Sequence, residues 1–137
     1  VVMEKSPSII SDALQNVRVL LAEDNAINQL IARKFLEGWG VDLKVVNNGR
    51  EALAHVKTNE VDLVLMDLQM PEMDGYEATR SIRRLQGDHF GKLPIIALSA
   101  SEANEIGEMY SKCGMNDFVH KPFNPEDLFQ KMTLHLA

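Results

Sequence analysis

Short apolar runs alternate with segments whose apolar positions repeat at helical spacing along most of the chain. The runs are rich in Val, Ile and Leu, and the first, third and fourth show little polar alternation, which is typical of strands in a sheet covered on both faces. The predicted strands are residues 17–22, 42–46, 61–66, 94–98 and 116–119. The helical segments lie between and after them.

A polar residue that can cap a helix precedes each helical segment. The predicted caps are Asn25, Asn48, Asp74, Ser101 and Asn124. The fourth helix is marginal, because Gly107 in its middle costs about 1 kcal/mol relative to alanine. Five βα units in succession predict parallel strands joined by right-handed crossovers. We therefore expect an α/β fold: a doubly wound, five-stranded parallel sheet of flavodoxin-like order 2-1-3-4-5, with helices on both faces.

The chain of 137 residues has the length of one domain. Its first 16 residues mix Ser, Pro and isolated apolar positions without a period. We interpret residues 1–16 as a flanking linker or arm and residues 17–137 as the domain. Because the chain opens on Val1 and not on methionine, we expect it to be a piece of a longer protein.

Charge and composition exclude several classes of partner. A formal net charge of −6 disfavours binding to nucleic acid and to anionic membranes. No apolar stretch reaches the length of a membrane span, so we expect no membrane contact by this domain. Cys113 is the single cysteine and cannot form an internal disulfide, which indicates a reducing, cytoplasmic compartment whether or not the parent chain is membrane-anchored.

Carboxylates stand where two predicted core strands end. Glu23 and Asp24 follow the first strand and Asp67 follows the third. Ligands of open α/β sheets bind just outside the carboxyl ends of the strands. Three acids gathered there would repel one another unless a hard cation joined them, and oxygen ligands suit Mg²⁺. These positions predict an acidic metal site.

A hydroxyl and an ammonium group complete the set, because Ser99 and Lys121 lie just after the fourth and fifth predicted strands. Together with the acids, these groups suit the transfer of a phosphoryl group. Asp67 is the candidate nucleophile, since a carboxylate can form a covalent intermediate. Ser99 and Lys121 are placed to bind phosphate oxygens.

Four segments carry a resemblance to a known family: residues 20–25 (LLAEDN), 65–75 (LMDLQMPEMDG), 97–100 (ALSA) and 120–122 (HKP). With these segments in order at the strand ends, the chain from residue 17 to about residue 136 resembles the response-regulator receiver domain of two-component signalling. Residues 23–29 (EDNAINQ) with 70–75 (MPEMDG) are most similar to receivers of hybrid sensor histidine kinases.

The resemblance implies a phosphoacceptor site at Asp67, which takes a phosphoryl group from phosphohistidine on a histidine kinase or a histidine phosphotransfer domain. It implies that Mg²⁺ is the cofactor, bound by Glu23, Asp24, Asp67 and the backbone carbonyl of Gln69. The domain is then expected to catalyse its own phosphorylation and dephosphorylation and to act in a phosphorelay, as a monomer or weak dimer.

The resemblance also implies a conformational switch. Ser99 and Lys121 would recognise the aspartyl phosphate, Ser99 and Phe118 would occupy the switch positions, and the Lys121–Pro122 bond would be cis. Spacing alone favours a core role for Phe118, so its switching role comes from the resemblance.

The first helix is the expected docking surface for the donor. Ile27, Leu30 and Ile31 cannot all face the sheet, so we expect some of them to form an apolar patch.

Two alternative functions remain open. A stand-alone single-domain response regulator would use the same site. A Mg²⁺-dependent aspartyl phosphatase would usually need a second acid two residues after its nucleophile, where this chain has Gln69.

Overall fold

The computed structural model describes residues 12–100 and 109–136. The predicted cap Ser101 and the predicted helix-weakening Gly107 lie outside the described residues. The helices and strands are, in chain order, β1 (Arg18–Ala22), α1 (Ala26–Gly38), β2 (Asp42–Val46), α2 (Gly49–Thr58), β3 (Leu63–Asp67), α3 (Gly75–Arg83), α4 (Asp88–Lys92), β4 (Ile95–Ser99), α5 (Met109–Lys112), β5 (Asp117–His120) and α6 (Pro125–Leu136).

The five strands form one parallel sheet in the order β2-β1-β3-β4-β5, which confirms the predicted fold class. Because the strands are parallel, their carboxyl ends share one edge of the sheet. The paired residues at this edge are Ala22 with Met66, Asp67 with Leu98, and Ser99 with His120. The register therefore brings the ends of β1, β3, β4 and β5 to one rim.

Alternate strand residues face two separate hydrophobic cores, as the two-residue period of a strand requires. Met66 of β3 belongs to the core under α2, α3 and α4, whereas its neighbour Leu65 belongs to the core under α1 and α6. The helices thus cover both faces, as expected from the unbroken apolar strands.

The capping residues that fall within the described chain are confirmed. The side chains of Asn25, Asn48, Asp74 and Asn124 each accept a hydrogen bond from the backbone N–H three residues later. At α2 the pattern differs from a standard capping box, because the Glu51 carboxylate accepts from the N–H of Asn47, at 2.8 Å, one residue before the cap. This contact fixes the β2–α2 loop.

One helix departs from the sequence-based expectation, and one buried residue lies outside the predicted domain boundary, which stays a prediction. The short helix α4 was not predicted, because it rests on one buried side chain, Phe90, and five residues are too few to show a helical period. Leu14 is fully buried in the core under α1 and α6, ahead of the predicted boundary at residue 17. Within the described ranges, no helix is long and apolar enough to cross a membrane.

Candidate active site

Three carboxylates meet at the carboxyl edge of the sheet. Glu23 and Asp24 directly follow β1 and Asp67 ends β3, and one carboxylate oxygen from each lies within 4.8 Å of the others. Glu23 and Asp67 are buried, with 1% and 5% of their surface exposed, whereas Asp24 is exposed. We call these three carboxylates the acidic rim. It is open to solvent on the side of Asp24.

Lys121 supplies the positive charge at the acidic rim. Its Nζ lies 2.9 Å from Glu23 Oε1 and 3.2 Å from Asp67 Oδ2. Its backbone N–H donates to the carbonyl of Ser99 at 2.7 Å, which ties the end of β5 to the end of β4. The Lys121–Pro122 bond is cis, which confirms that expectation. The ammonium group therefore bridges acids that come from two different strands.

The loop after β3 packs closely behind Asp67. The N–H of Gln69 donates to Asp67 Oδ1 at 3.3 Å. Only glycine fits at position 75, because a Cβ there would lie 2.2 Å from the backbone oxygen of Asp67. Ser99 is buried at the end of β4, on the same rim. The hydrogen bond from Gln69 thus orients one oxygen of the candidate nucleophile.

Burial and charge shift the pKa values of two groups. Burial and the neighbouring Glu23 carboxylate raise the pKa of Asp67 to about 6, although Lys121 opposes the rise. Burial alone would lower the pKa of Lys121, but its hydrogen bond to Glu23 and the charge of Asp67 outweigh burial and raise it. Lys121 is thus charged at neutral pH. Asp67 is ionised at neutral pH as well, although burial and the Glu23 charge disfavour its ionised form.

The donor set of the acidic rim fits a hard divalent cation. All three side chains offer oxygen, which is the ligand atom that Mg²⁺ prefers. One ammonium group faces three carboxylates, so negative charge remains to be compensated.

The structure brings together Glu23, Asp24, Asp67 and Lys121, as the positions at the strand ends predict. Phe118 lies on β5 opposite Ala97, where its ring packs on Tyr110 with 5.2 Å between centroids. It contributes to neither the acidic rim nor its ion pairs. The structure confirms this convergence, while the roles of all the predicted site residues, including Ser99, Gln69 and Phe118, stay predictions.

Sequence reasoning assigned no role to Gln29. Its amide nitrogen donates to the backbone carbonyl of Glu23 and, at 2.9 Å, to Asn47 Oδ1. The available signal was its position four residues after the cap Asn25, in the first turn of α1, where a long side chain reaches back over the loop.

Exposed apolar side chains lie on the same helix. Ile27, Leu30 and Ile31 of α1 are 68%, 60% and 38% exposed. This confirms that they do not all face the sheet, while their use in docking stays a prediction.

Known proteins are similar to this chain in sequence. The chain is 40% identical over 129 residues to Hybrid signal transduction histidine kinase B of Dictyostelium discoideum, and 39% identical over 114 residues to Sensor histidine kinase GacS of Pseudomonas protegens. These matches cover 87% and 82% of this chain but only 7% and 12% of those proteins. The chain thus spans a small part of the length of its curated relatives.

Two solved structures are similar over most of the chain. The receiver domain of sensor histidine kinase PA1611 from Pseudomonas aeruginosa PAO1, with a magnesium ion coordinated in its active site cleft, is 34% identical with a TM-score of 0.78, and the match covers 88% of this chain and 97% of that one. The Saccharomyces cerevisiae co-crystal of the histidine phosphotransfer signaling protein Ypd1 and the receiver domain of Ssk1 gives 33% identity and a TM-score of 0.77, with 88% of each chain covered.

A sequence model of the response regulator receiver domain matches residues 19–133, from the second residue of β1 to the last turn of α6. This range contains every residue of the acidic rim together with Lys121. The chain belongs to the response regulator receiver domain family.

Proposed function

We propose that this domain takes a phosphoryl group from a phosphohistidine donor onto Asp67, in a Mg²⁺-dependent reaction, and changes conformation as a step of a phosphorelay. The observation that carries the proposal is the convergence of Glu23, Asp24 and Asp67 around one rim, with the Lys121 ammonium in contact with two of them.

The proposed transfer needs little from the protein beyond position and charge. A carboxylate oxygen of Asp67 forms a bond to phosphorus while the P–N bond of the donor breaks, and its electron pair stays on the imidazole nitrogen. Charge spreads over the three equatorial oxygens in the loose transition state. Gln69 N–H and Lys121 hold the Asp67 carboxylate in place for this attack.

Glu23, Asp24 and Asp67, with the backbone carbonyl of Gln69, are the proposed Mg²⁺ ligands. When bound, the ion supplies positive charge against the carboxylates and the incoming phosphoryl oxygens. The all-oxygen donor set supports this assignment. The related receiver domain from Pseudomonas aeruginosa, which binds a magnesium ion in its own active site cleft, also supports the assignment.

Lys121 and Ser99 are the proposed phosphate-binding groups. After transfer, the phosphoryl group on Asp67 would compete with Glu23 for the Lys121 ammonium, and the Ser99 hydroxyl would donate to a phosphate oxygen. Such a modification shifts a conformational equilibrium only through contacts that differ between the two states. We propose that Phe118 changes position between the two states and passes the change to α5, because its ring contacts Tyr110 of that helix.

A histidine phosphotransfer domain is the proposed donor, docked against the exposed apolar residues of α1. That helix begins two residues after Asp24, so a partner on it would reach the acidic rim. We propose that the parent chain is a hybrid sensor histidine kinase, which the name of the Dictyostelium discoideum relative supports, and that the domain works in the cytoplasm.

Asp67→Asn tests the acceptor. The variant should lose the base-labile acyl phosphate when incubated with a labelled phosphohistidine donor and Mg²⁺, because an amide cannot attack phosphorus. Glu72→Gln is the matched control, since Glu72 is an exposed acid in the loop after β3 and should label like the unmodified domain. Undiminished labelling of Asp67→Asn would refute the assignment.

A further inference from the structure

Both backbone groups of Glu23, the N–H and the carbonyl, form hydrogen bonds. Its N–H donates to the carbonyl of Val46 at 3.1 Å, and its carbonyl accepts from the Gln29 side chain. The first contact comes from the end of β2 and the second from the first turn of α1. The loop between β1 and α1 is thus anchored at the residue that starts the acidic rim.

The carbonyl that Gln29 holds belongs to the peptide joining Glu23 to Asp24. A peptide unit is planar, so fixing its oxygen also fixes the direction in which the chain enters Asp24. The Asp24 carboxylate is exposed and forms no hydrogen bond or ion pair with the part of the chain that the structure describes. Its position at the acidic rim therefore depends on its backbone.

Gln29 also joins this loop to its neighbour. The same amide nitrogen donates to Asn47 Oδ1 at 2.9 Å, and the Asn47 N–H donates to Glu51 Oε1 at 2.8 Å. A continuous series of hydrogen bonds thus runs from the peptide between the two acids to the first turn of α2. Both hydrogens of the Gln29 amide are used, so the side chain is constrained in orientation.

We propose that Gln29 is a positioning residue for the metal site, holding the Glu23–Asp24 peptide in the orientation that turns both carboxylates toward Asp67. The importance of that orientation for Mg²⁺ rests on the proposed function, whereas the orientation itself is a property of the metal-free domain. Groups that orient metal ligands from outside typically change metal affinity 10- to 100-fold when they are removed.

Gln29→Met tests the proposal, because methionine has the same chain length and no hydrogen-bond donor. Arg33→Met is the matched control: Arg33 lies one turn further along α1 and pairs with Glu37, on the exposed surface. By calorimetric titration, Gln29→Met should bind Mg²⁺ about 10-fold more weakly, and Arg33→Met should bind it as the unmodified domain does. At saturating Mg²⁺, phosphoryl labelling of Gln29→Met should recover.

A second readout needs no metal. The ¹⁵N order parameter of the Asp24 amide should fall in metal-free Gln29→Met and stay unchanged in Arg33→Met. Asn47→Leu removes only the hydrogen bond between Gln29 and the Asn47 side chain, so it should lower the Asp24 order parameter by a smaller amount. This variant replaces Gln29→Met in the test if Gln29→Met does not fold. In a folded Gln29→Met domain, an unchanged order parameter or an unchanged Mg²⁺ affinity overturns the proposal.

These readouts separate the two proposals. If the unmodified domain binds no Mg²⁺, the proposed function fails, and the Asp24 order parameter alone decides whether Gln29 holds the peptide. If the unmodified domain binds Mg²⁺ and labels normally, but Gln29→Met binds Mg²⁺ with the same affinity and labels equally well at sub-saturating Mg²⁺, only the role of Gln29 is refuted.

Discussion

The Asp67 carboxylate destabilises the metal-free fold when it ionises. Its pKa is raised to about 6, because burial and the Glu23 charge disfavour the ionised form. An acid whose pKa is higher in the folded state than in the unfolded state destabilises the fold once it ionises. This destabilisation is absent below the ordinary pKa of 3.8, grows as the pH rises toward 6 and is complete at neutral pH.

We expect Asp67→Asn to raise the free energy of unfolding of the metal-free domain by about 1–2 kcal/mol at pH 7, since one pKa unit corresponds to about 1.4 kcal/mol and relaxation recovers part of it. The gain should disappear near pH 4. Urea unfolding in the presence of a chelator at the two pH values measures both. A variant less stable than the unmodified domain at pH 7 would contradict this account.

Where the site residues lie was predictable from sequence only in part. The positions of Glu23, Asp24 and Asp67 after apolar runs place them at strand ends, and the parallel sheet then brings the ends together. Gln29 was not identifiable in this way, because its two acceptors lie on a backbone carbonyl and on a loop residue of another βα unit. Its place in the first turn of α1 is a local signal for the contact with Glu23, but no local pattern indicates the contact with Asn47.

Between elements, the Arg83 guanidinium joins α3 to a segment 7 to 10 residues later and to a turn 31 residues later. This last residue of α3 donates to the carbonyl of Gly114 from Nε and Nη2, at 2.9 and 2.7 Å. Its Nη1 donates to the carbonyls of Phe90 and Leu93, at 2.7 and 2.8 Å. The guanidinium thereby binds α4, the chain leading into β4 and the turn after α5.

Arg83→Met should lower the free energy of unfolding by about 3 kcal/mol, because it keeps most of the aliphatic stem but leaves several half-buried carbonyls without donors. The neighbouring Arg84 is exposed, so Arg84→Met should change stability by less than about 0.5 kcal/mol. Chemical denaturation of both variants measures the difference, and equal stabilities would show that the guanidinium contacts contribute little.

Periodicity and capping signals predicted the strands and the long helices, since both depend on residues close in sequence. They did not predict α4, whose position depends on the buried ring of Phe90 and on a hydrogen bond from the Arg83 side chain of the preceding helix. Elements that are stabilised by non-local contacts carry no periodic signal of their own.

At the scale of the molecule, the folded unit includes residues ahead of β1. Leu14 is fully buried against the core that contains Leu21 and Leu36, and the Asn16 N–H donates to the carbonyl of Gly40 at 2.8 Å. The predicted boundary at residue 17 stays a prediction, but a domain cut there would lose the Leu14 side chain from its interior.

Leu14→Ala should destabilise the domain by about 2–4 kcal/mol, as a large-to-small change in a closed core does. Leu134→Ala removes the same atoms from a side chain on α6 that is 66% exposed, and it should cost less than about 0.5 kcal/mol. Comparison of the two melting curves gives the result. Equal melting temperatures would mean that the segment before β1 is dispensable.

Lys131 of α6 covers a backbone group at the edge of the sheet. Its Nζ donates to the carbonyl of Phe118 at 2.6 Å, and β5 is the last strand of the described sheet. Since the Lys121 N–H points at β4 and backbone groups alternate along a strand, the Phe118 carbonyl points away from the sheet. A strand from a neighbouring molecule that paired with β5 would have to displace this amine. The Lys131 side chain therefore opposes edge-to-edge aggregation at β5.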